Sequence, residues 1–155
     1  MVETAAGTLK RVVAIRLTPG EDLLGGITEA CERYGIKNGV ILSGIGSLQK
    51  ARFFDPAVLP ETKFGYGYSD PIEVEGPIEL IAVSGQICAG EKGEVLLHVH
   101  CCYADEHGTA YAGHLIEGNK ILMTADLTIG EFEGIYMDRR YEEDYGVYLV
   151  HPTQL

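Results

Sequence analysis

Residues 95–116 read VLLHVHCCYADEHGTAYAGHLI, and this stretch decides the fold because it predicts two strands joined by a tight turn. A three-residue loop over 106–108 places Gly108 at the position where such a loop needs a left-handed backbone. That loop pairs Asp105 with Thr109. The turn therefore sets the register of an antiparallel hairpin.

The predicted register brings three histidines together. Counting back from the turn, His100 faces His114 on the neighbouring strand. His98 lies on the same side of its strand, about 6.5 to 7 Å from His100 at the backbone. A four-residue loop without a bulge would turn His114 to the other face, so the cluster depends on the loop length. Three of the five histidines in the 155-residue chain are expected to converge here.

Three converging imidazoles are typical of a metal site. A single strand histidine is usually packed or solvated, but three in an apolar setting need hydrogen bonds or a metal. Imidazole suits zinc, copper, nickel and iron, so the ligand set alone leaves the metal open. Three protein ligands also leave a fourth coordination position free. This arrangement is more typical of catalytic metal sites than of structural ones.

The two faces of the predicted hairpin differ in character. The side away from the histidines is apolar and is expected to join the core: Val95, Leu97, Val99, Cys101, Tyr103, Tyr111 and Leu115. The histidine side also carries four residues that predict a small-walled pocket or an interface: Leu96, Cys102, Ala112 and Ile116.

Other chemically active side chains near the cluster have simpler interpretations. Cys102 is the nearest thiol, and a small buried hydrophobic role is the commoner one for such a residue. His107 and His151 are expected to be solvated. Glu117 and Asp126 are the nearest downstream carboxylates, and no catalytic role is assigned to either.

One amphipathic helix is predicted before the hairpin. Residues 18–21 have the form of a helix start, with Thr18 as the cap and a glutamate three residues later. Apolar residues recur at helical spacing over 23–34, and Gly35 is the expected end. Two glycines at 25–26 weaken the helix, and close packing against a strand would explain their presence.

Most other segments read as strands. Strands are predicted over 11–17, 39–42, 48–54, 78–87, 95–103, 110–116 and 121–129, with 147–150 as an edge strand. Residues 43–47 (SGIGS) are expected to turn the chain between two strands. They lack the GxGxxG spacing of a phosphate-binding loop, so a connection within the sheet is the favoured interpretation. Residues 56–77 predict a functional loop or an interrupted hairpin, with aromatics that favour a subunit interface over ligand stacking. One helix against an antiparallel sheet is an α+β fold.

Composition limits the classes of function. The net charge is −11, with 23 acidic and 12 basic residues, which argues against unassisted binding to nucleic acid. The four cysteines lack a disulfide framework and are expected to be free thiols in a reducing compartment. The first residues do not read as a signal peptide and no window reads as a membrane span, so we expect a cytoplasmic protein without membrane contact.

Several motifs together resemble a known family. They are RLTPGED at 16–22, ILSGIGS at 41–47, GPIEL at 76–80 followed by Ser84-Gly85, His98-Val99-His100, and Gly113-His114-Leu115. In this order and at this spacing they resemble the plants-and-prokaryotes-conserved (PPC) domain, of the prokaryotic stand-alone type, over about residues 10–130. By length and resemblance we expect a single domain over 1–155, with residues 131–155 as a C-terminal extension.

The resemblance carries further expectations. It implies a mostly antiparallel, strongly bent sheet with one main helix, a homotrimer, and a divalent metal, usually zinc, on the histidines matching His98, His100 and His114. It also implies a distant likeness to acetolactate decarboxylase, a zinc enzyme with three histidine ligands. Plant relatives bind AT-rich DNA through AT-hooks, whereas this chain has no Arg-Gly-Arg hook. This chain has Cys101-Cys102-Tyr103 at positions where members of the family more usually have small or hydroxyl-bearing residues.

Three interpretations of the function follow from these observations. The first is a trimeric metal-binding protein with a regulatory, ligand-sensing or DNA-associated role, the DNA being disfavoured by the net charge. The second is a metal-dependent lyase or hydrolase acting on a small oxygenated substrate. A third interpretation makes the metal a staple of the trimer. The first is favoured because the sequence supplies no identifiable general base, and catalytic residues stay unassigned.

Overall fold

The structure is a computed structural model that describes residues 2–155. It contains one helix, α1 (Leu23–Tyr34). The strands are β1 (Thr8–Leu17), β2 (Gly39–Phe54), β3 (Pro56–Val58), β4 (Tyr66–Tyr68), β5 (Ile72–Ala89), β6 (Val95–Asp105), β7 (Ala110–Leu115), β8 (Ile121–Glu133), β9 (Ile135–Glu142) and β10 (Val147–Gln154). Within the described residues, α1 has neither the length nor the apolar composition to cross a membrane.

Eight strands form one sheet in the order β1-β8-β2-β7-β6-β5-β9-β10, and β3 and β4 form a small second sheet. The pairings in the large sheet are antiparallel except that β9 lies parallel to the end of β5. β2 pairs with β8 and β5, and its last residues also pair with β7. Because β2, β5, β6 and β7 pair in a closed order, the sheet is strongly bent. The predicted α+β class is confirmed.

The helix begins later than the sequence predicts. Asp22, not Thr18, is the N-cap, and its carboxylate accepts a hydrogen bond from the backbone N–H of Gly25 at 3.0 Å. The expected contact between Thr18 and Glu21 does form, at 2.5 Å, but it closes the turn before the helix. Both capping contacts therefore form, one after the other along the chain. The contact at Asp22, which directly precedes the apolar residues of α1, begins the helix.

The helix packs its apolar side onto the bent sheet. Leu23, Ile27 and Cys31 are fully buried. A Cβ on Gly26 would lie only 2.6 Å from the Leu17 side chain, so close packing explains this glycine as expected. A Cβ on Gly25 would meet no atom closer than 3.7 Å, and the packing explanation does not extend to it.

The expected turn at residues 43–47 is wrong. These residues continue β2 without interruption, with bulges between Ile41 and Ser43 and between Gly46 and Leu48. Added to Gly46, a Cβ would lie 2.4 Å from the carbonyl oxygen of Thr124, so the glycine permits close approach of β8. The glycines at 44 and 46, which predict a turn by sequence, instead lie in a strand where neighbouring residues leave no room for a Cβ.

Two further hairpins are β3–β4, which lies outside the large sheet, and β9–β10, which forms one edge of it. Residues 56–68 form the interrupted hairpin β3–β4, the second of the two alternatives that the sequence left open. The predicted edge strand at 147–150 is confirmed within β10, but its partner β9 was missed. The tips of the two hairpins meet: the rings of Phe64 and Tyr145 are 5.2 Å apart, and the Lys63 ammonium donates to the carbonyl of Glu143.

Candidate metal centre

The hairpin of β6 and β7 has the predicted register. His100 pairs with His114, and Ala104 with Ala110. The N–H of Asp105 donates to the carbonyl of Thr109 at 3.1 Å, and Gly108 has a φ of 80°. The three-residue loop is therefore confirmed, and with it the placement of His114 on the face of His100.

The three histidines converge on one point. Their ligating nitrogens lie within 4.8 Å of one another, and the Nε2 atoms of His98 and His100 are 3.2 Å apart. Two nitrogens bound tetrahedrally to one zinc ion are separated by about 3.3 Å, because each Zn–N bond is about 2.0–2.1 Å. The chemistry and spacing of the donors therefore fit a zinc-like ion.

The environment of the cluster differs from the expected apolar setting. The side chains of His98 and His100 are exposed in the described chain, and His114 is half-buried. Burial, then the neighbouring His98, His100 and Arg139, lower the pKa of His114 to about 4. Burial, His100 and Arg139 also lower the pKa of His98. At neutral pH both rings are neutral and present a lone pair, the form that binds a metal.

A family model of the Plants and Prokaryotes Conserved (PCC) domain matches residues 4–133. The chain belongs to this family. The match includes the whole histidine cluster, and the family is the one that the motifs of the sequence resemble.

Solved structures of similar proteins have the same fold as this PPC domain. A plant- and prokaryote-conserved protein from Pyrococcus horikoshii is 31% identical, with a TM-score of 0.81 and 100% of both chains covered. A metal-containing protein from Archaeoglobus fulgidus is 24% identical, with a TM-score of 0.80 and 96% and 98% of the two chains covered. A candidate DNA-binding protein from Ralstonia eutropha JMP134 is 18% identical, with a TM-score of 0.73 and 88% of each chain covered.

The curated relatives are much longer proteins. A bifunctional protein GlmU from Synechococcus sp. (strain JA-3-3Ab) is 29% identical over 121 residues, which cover 78% of this chain. The chain spans only 17% of the length of that relative. The similarity therefore concerns one segment of the longer protein.

Two aromatic residues of the PPC domain support His114 and were missed in the sequence. Phe54 stacks on the His114 ring at 5.0 Å with an interplanar angle of 9°. The Tyr68 hydroxyl lies 3.5 Å from Nδ1 of His114, and the Tyr68 ring is 4.2 Å from Phe54. With Nδ1 facing Tyr68, Nε2 of His114 is left for an ion. The aromatic run at 64–68, which predicts a subunit interface, is the sequence signal that includes Tyr68.

The opposite side of the cluster borders β5 and β9. Gln86 on β5 pairs with His98, and its Oε1 is buried without a hydrogen-bond partner among the described residues. A cavity of about 300 Å³ lies beyond, lined partly by Leu96 and by Arg139 of β9. Neither Gln86 nor Arg139 carries a local sequence signal, because both come from strands outside the histidine hairpin.

The remaining candidate residues lie outside the triad. His107 is exposed at the hairpin tip as expected, with a side-chain exposure of 80%. His151 is not solvated: its side chain is only 14% exposed and lies 2.9 Å from both Glu3 and Glu142. Glu117 lines a groove with His114, and Asp126 lies near Thr124.

The four cysteines are free thiols, as predicted. Cys102 is exposed on the histidine face, so the expected buried role is wrong for it. Burial raises the pKa of Cys31 and Cys88 to about 11 and that of Cys101 to about 12. The buried thiols are therefore protonated and poor metal ligands at neutral pH.

Proposed function

We propose that this PPC domain is a zinc-binding, ligand-sensing protein in which His98, His100 and His114 hold the ion. The observation that carries the proposal is the convergence of three imidazole nitrogens within 4.8 Å on one hairpin. When bound, the ion would supply a Lewis-acidic position for a ligand oxygen or nitrogen. The three histidines would hold the ion at the exposed side of the sheet, where His98 and His100 lie.

Two further observations support a metal here, and one supports a ligand or water beside it. The lowered pKa values of His98 and His114 keep these two rings unprotonated at neutral pH. The unpartnered Oε1 of Gln86 is a buried acceptor beside His98, which a donor on a bound ligand or water would satisfy. The similar protein from Archaeoglobus fulgidus is described as metal-containing.

Exposure of the triad favours a sensing role. His98 and His100 are exposed, so an ion held by them is accessible to a small molecule from solution. Three protein ligands leave room for such a molecule in the coordination shell. The enzyme hypothesis stays a prediction beside this one.

We also propose that the chain assembles as a homotrimer through the apolar outer face of the sheet. Leu9 and Leu42 lie over the buried Gly130, and Val12 pairs with Gly130 on the adjoining strand. Val12, Leu42 and Ile45 are 54%, 47% and 56% exposed. Contiguous exposed apolar residues are typical of an interaction surface. The number of subunits follows from the family resemblance.

Direct binding to DNA is not part of the proposal. The Ralstonia eutropha relative is described as a candidate DNA-binding protein, but this chain carries a net charge of −11. Phosphate contacts need clustered Lys and Arg side chains. We expect no tight, salt-sensitive complex with bare duplex DNA, and fluorescence anisotropy over a salt series tests this.

Elemental analysis with anomalous diffraction on untreated protein tests the metal centre. We expect about one zinc per chain, with the anomalous peak between the three histidine rings. His114→Ala should lose the metal, whereas His107→Ala, which removes an exposed histidine at the hairpin tip, should retain it. Metal retained by His114→Ala, or absent from wild-type protein prepared without chelators, would contradict the proposal.

A further inference from the structure

We propose that the side of the metal centre facing β9 binds a small monocarboxylate with an apolar body. Its carboxylate lies between Arg139 and the metal, and its body lies against Leu96 and Tyr148. The inference rests on the proposed metal site and adds the chemical class of its ligand.

The topology places this pocket next to the triad. Leu96 precedes His98 by two residues on β6 and therefore shares its face. β5 separates β6 from β9 in the sheet, and β9 carries Arg139. Leu96, Arg139 and Tyr148 line the same cavity of about 300 Å³, with the exposed 91–94 turn at its rim. The cavity thus continues the histidine face on the side away from Tyr68.

Arg139 has donors available for an anion. Among the described residues its guanidinium makes one long hydrogen bond, 3.4 Å to the carbonyl of Tyr148, and no carboxylate lies within 4.0 Å. The adjacent Arg140 differs, because it binds the Asp138 carboxylate with two bonds of 2.8 and 3.0 Å. A guanidinium fork without a carboxylate partner matches a carboxylate ligand in geometry and charge.

The sheet register places Arg139 on the side of the sheet that carries the triad. Ala89 at the end of β5 pairs with Asp138, so the next residue of β9, Arg139, lies on the other face, which Cys88 shares with its partner Leu96. A ligand with one end at the metal can therefore bring its negative charge near Arg139. Glu91 and Glu94 also line the cavity and oppose an anion, but both are exposed and Lys92 lies between them.

The lining of the cavity defines the rest of the ligand. Leu96 is apolar, and Tyr148 is an aromatic residue that is 49% exposed. These walls favour an aliphatic or aromatic body over a sugar or a nucleotide. Phenylacetate has both features and is the probe of choice. Phenylacetamide is its matched control, because it has nearly the same shape without the charge.

Calorimetric titration of the zinc-loaded protein tests the inference. We expect phenylacetate to bind and phenylacetamide to bind at least tenfold more weakly. Arg139→Gln should weaken phenylacetate binding at least tenfold, and Arg139→Lys should weaken it less, because the charge remains without the fork. Arg140→Gln removes the same charge from the neighbouring residue and should change the affinity less than twofold. Chelation of the zinc should also weaken binding.

Each part of the proposal has its own contrary outcome. Equal binding by Arg139→Gln and wild type, or equal binding of phenylacetate and phenylacetamide, would overturn the carboxylate pocket while leaving the zinc site intact. Wild-type protein without zinc at the three histidines would overturn the proposed function and this inference together. If Arg139→Gln does not fold, the Arg139 Nε–H resonance of wild type should shift on titration with phenylacetate. An unchanged resonance under binding would refute the contact.

Discussion

His100 and His114 are direct cross-strand partners, and their rings lie 5.3 Å apart on the same face of the β6–β7 hairpin. The three-residue loop ending at Gly108 produces this pairing, since a shift of one residue would send His114 to the opposite face. His98 then completes the cluster from two residues away along β6. The candidate metal centre thus depends on a local feature, the length of one turn.

Removal of the Tyr68 hydroxyl should weaken the metal site. Tyr68→Phe keeps the ring against Phe54 but removes the oxygen that faces Nδ1 of His114. Because a partner of this kind orients a ligating histidine, we expect a loss of about 10-fold in zinc affinity. Competition with a chromophoric chelator measures it. Tyr66→Phe, in the same strand, is the control and should bind zinc like wild type, and equal affinity for Tyr68→Phe would show that the hydroxyl has no such role.

The stability of the metal-free protein should fall below neutral pH because of His114. Its pKa is about 4 in the folded chain, against about 6.5 for a free imidazole. Between these values the unfolded chain binds a proton that the folded chain excludes, so stability decreases as the pH falls from about 6.5 to about 4 and then levels off. Urea unfolding of wild type and His114→Gln over this range should give the steeper fall for wild type. Parallel pH profiles would contradict the lowered pKa.

One thiol should react rapidly in the native protein. Cys102 is exposed, whereas the other three cysteines are buried and their pKa values are raised to about 11 or 12. Because the thiolate is the nucleophile, iodoacetamide should label Cys102 alone under native conditions and all four sites after denaturation. Mass spectrometry of tryptic peptides locates the label. Rapid native labelling that persists in Cys102→Ser would mean that a core cysteine is accessible.

A charge on the apolar outer face should dissociate the proposed trimer. Leu42 is 47% exposed and lies beside Leu9 over Gly130. Leu42→Lys places an unpaired charge in an interface and should shift the mass in solution from trimer to monomer, as measured by light scattering. Leu155→Lys introduces the same charge at a residue that is 76% exposed and lies outside both this face and the 56–77 segment, and it serves as the control. A trimer retained by Leu42→Lys would place the interface elsewhere.

The side chain of Asp22 should contribute more to the stability of the fold than the side chain of Thr18. The Asp22 carboxylate accepts from the N–H of Gly25 at 3.0 Å and from the N–H of Gly118 at 2.8 Å, so it joins the helix to the segment after β7. Asp22→Ala should destabilise the fold by about 1–2 kcal/mol. Thr18→Ala should cost less, because the backbone N–H of Thr18 still donates to Glu21. Chemical denaturation compares the two, and an equal or larger loss for Thr18→Ala would mean that the Asp22 bonds contribute little.

Long-range contacts explain where the sequence predictions were wrong. Residues 43–47 read as a turn, yet Gly46 is needed because β8 passes within contact distance, almost 80 residues later in the chain. His151 read as solvated, yet the N-terminal Glu3 covers it. Such contacts leave no periodic signal near the residue concerned, since they arise only when distant strands pair.

The sequence by itself determined the α+β class, one amphipathic helix that ends before Gly35 and the convergence of His98, His100 and His114. Strand alternation and a glycine-dependent turn are local rules, and the whole triad lies within 17 residues. Only the tertiary structure decided that Phe54 and Tyr68 support His114 and that Arg139 of β9 lines a cavity with Leu96 of the histidine strand. Those side chains reach the site through sheet order and hairpin docking, which depend on the packing of the complete chain.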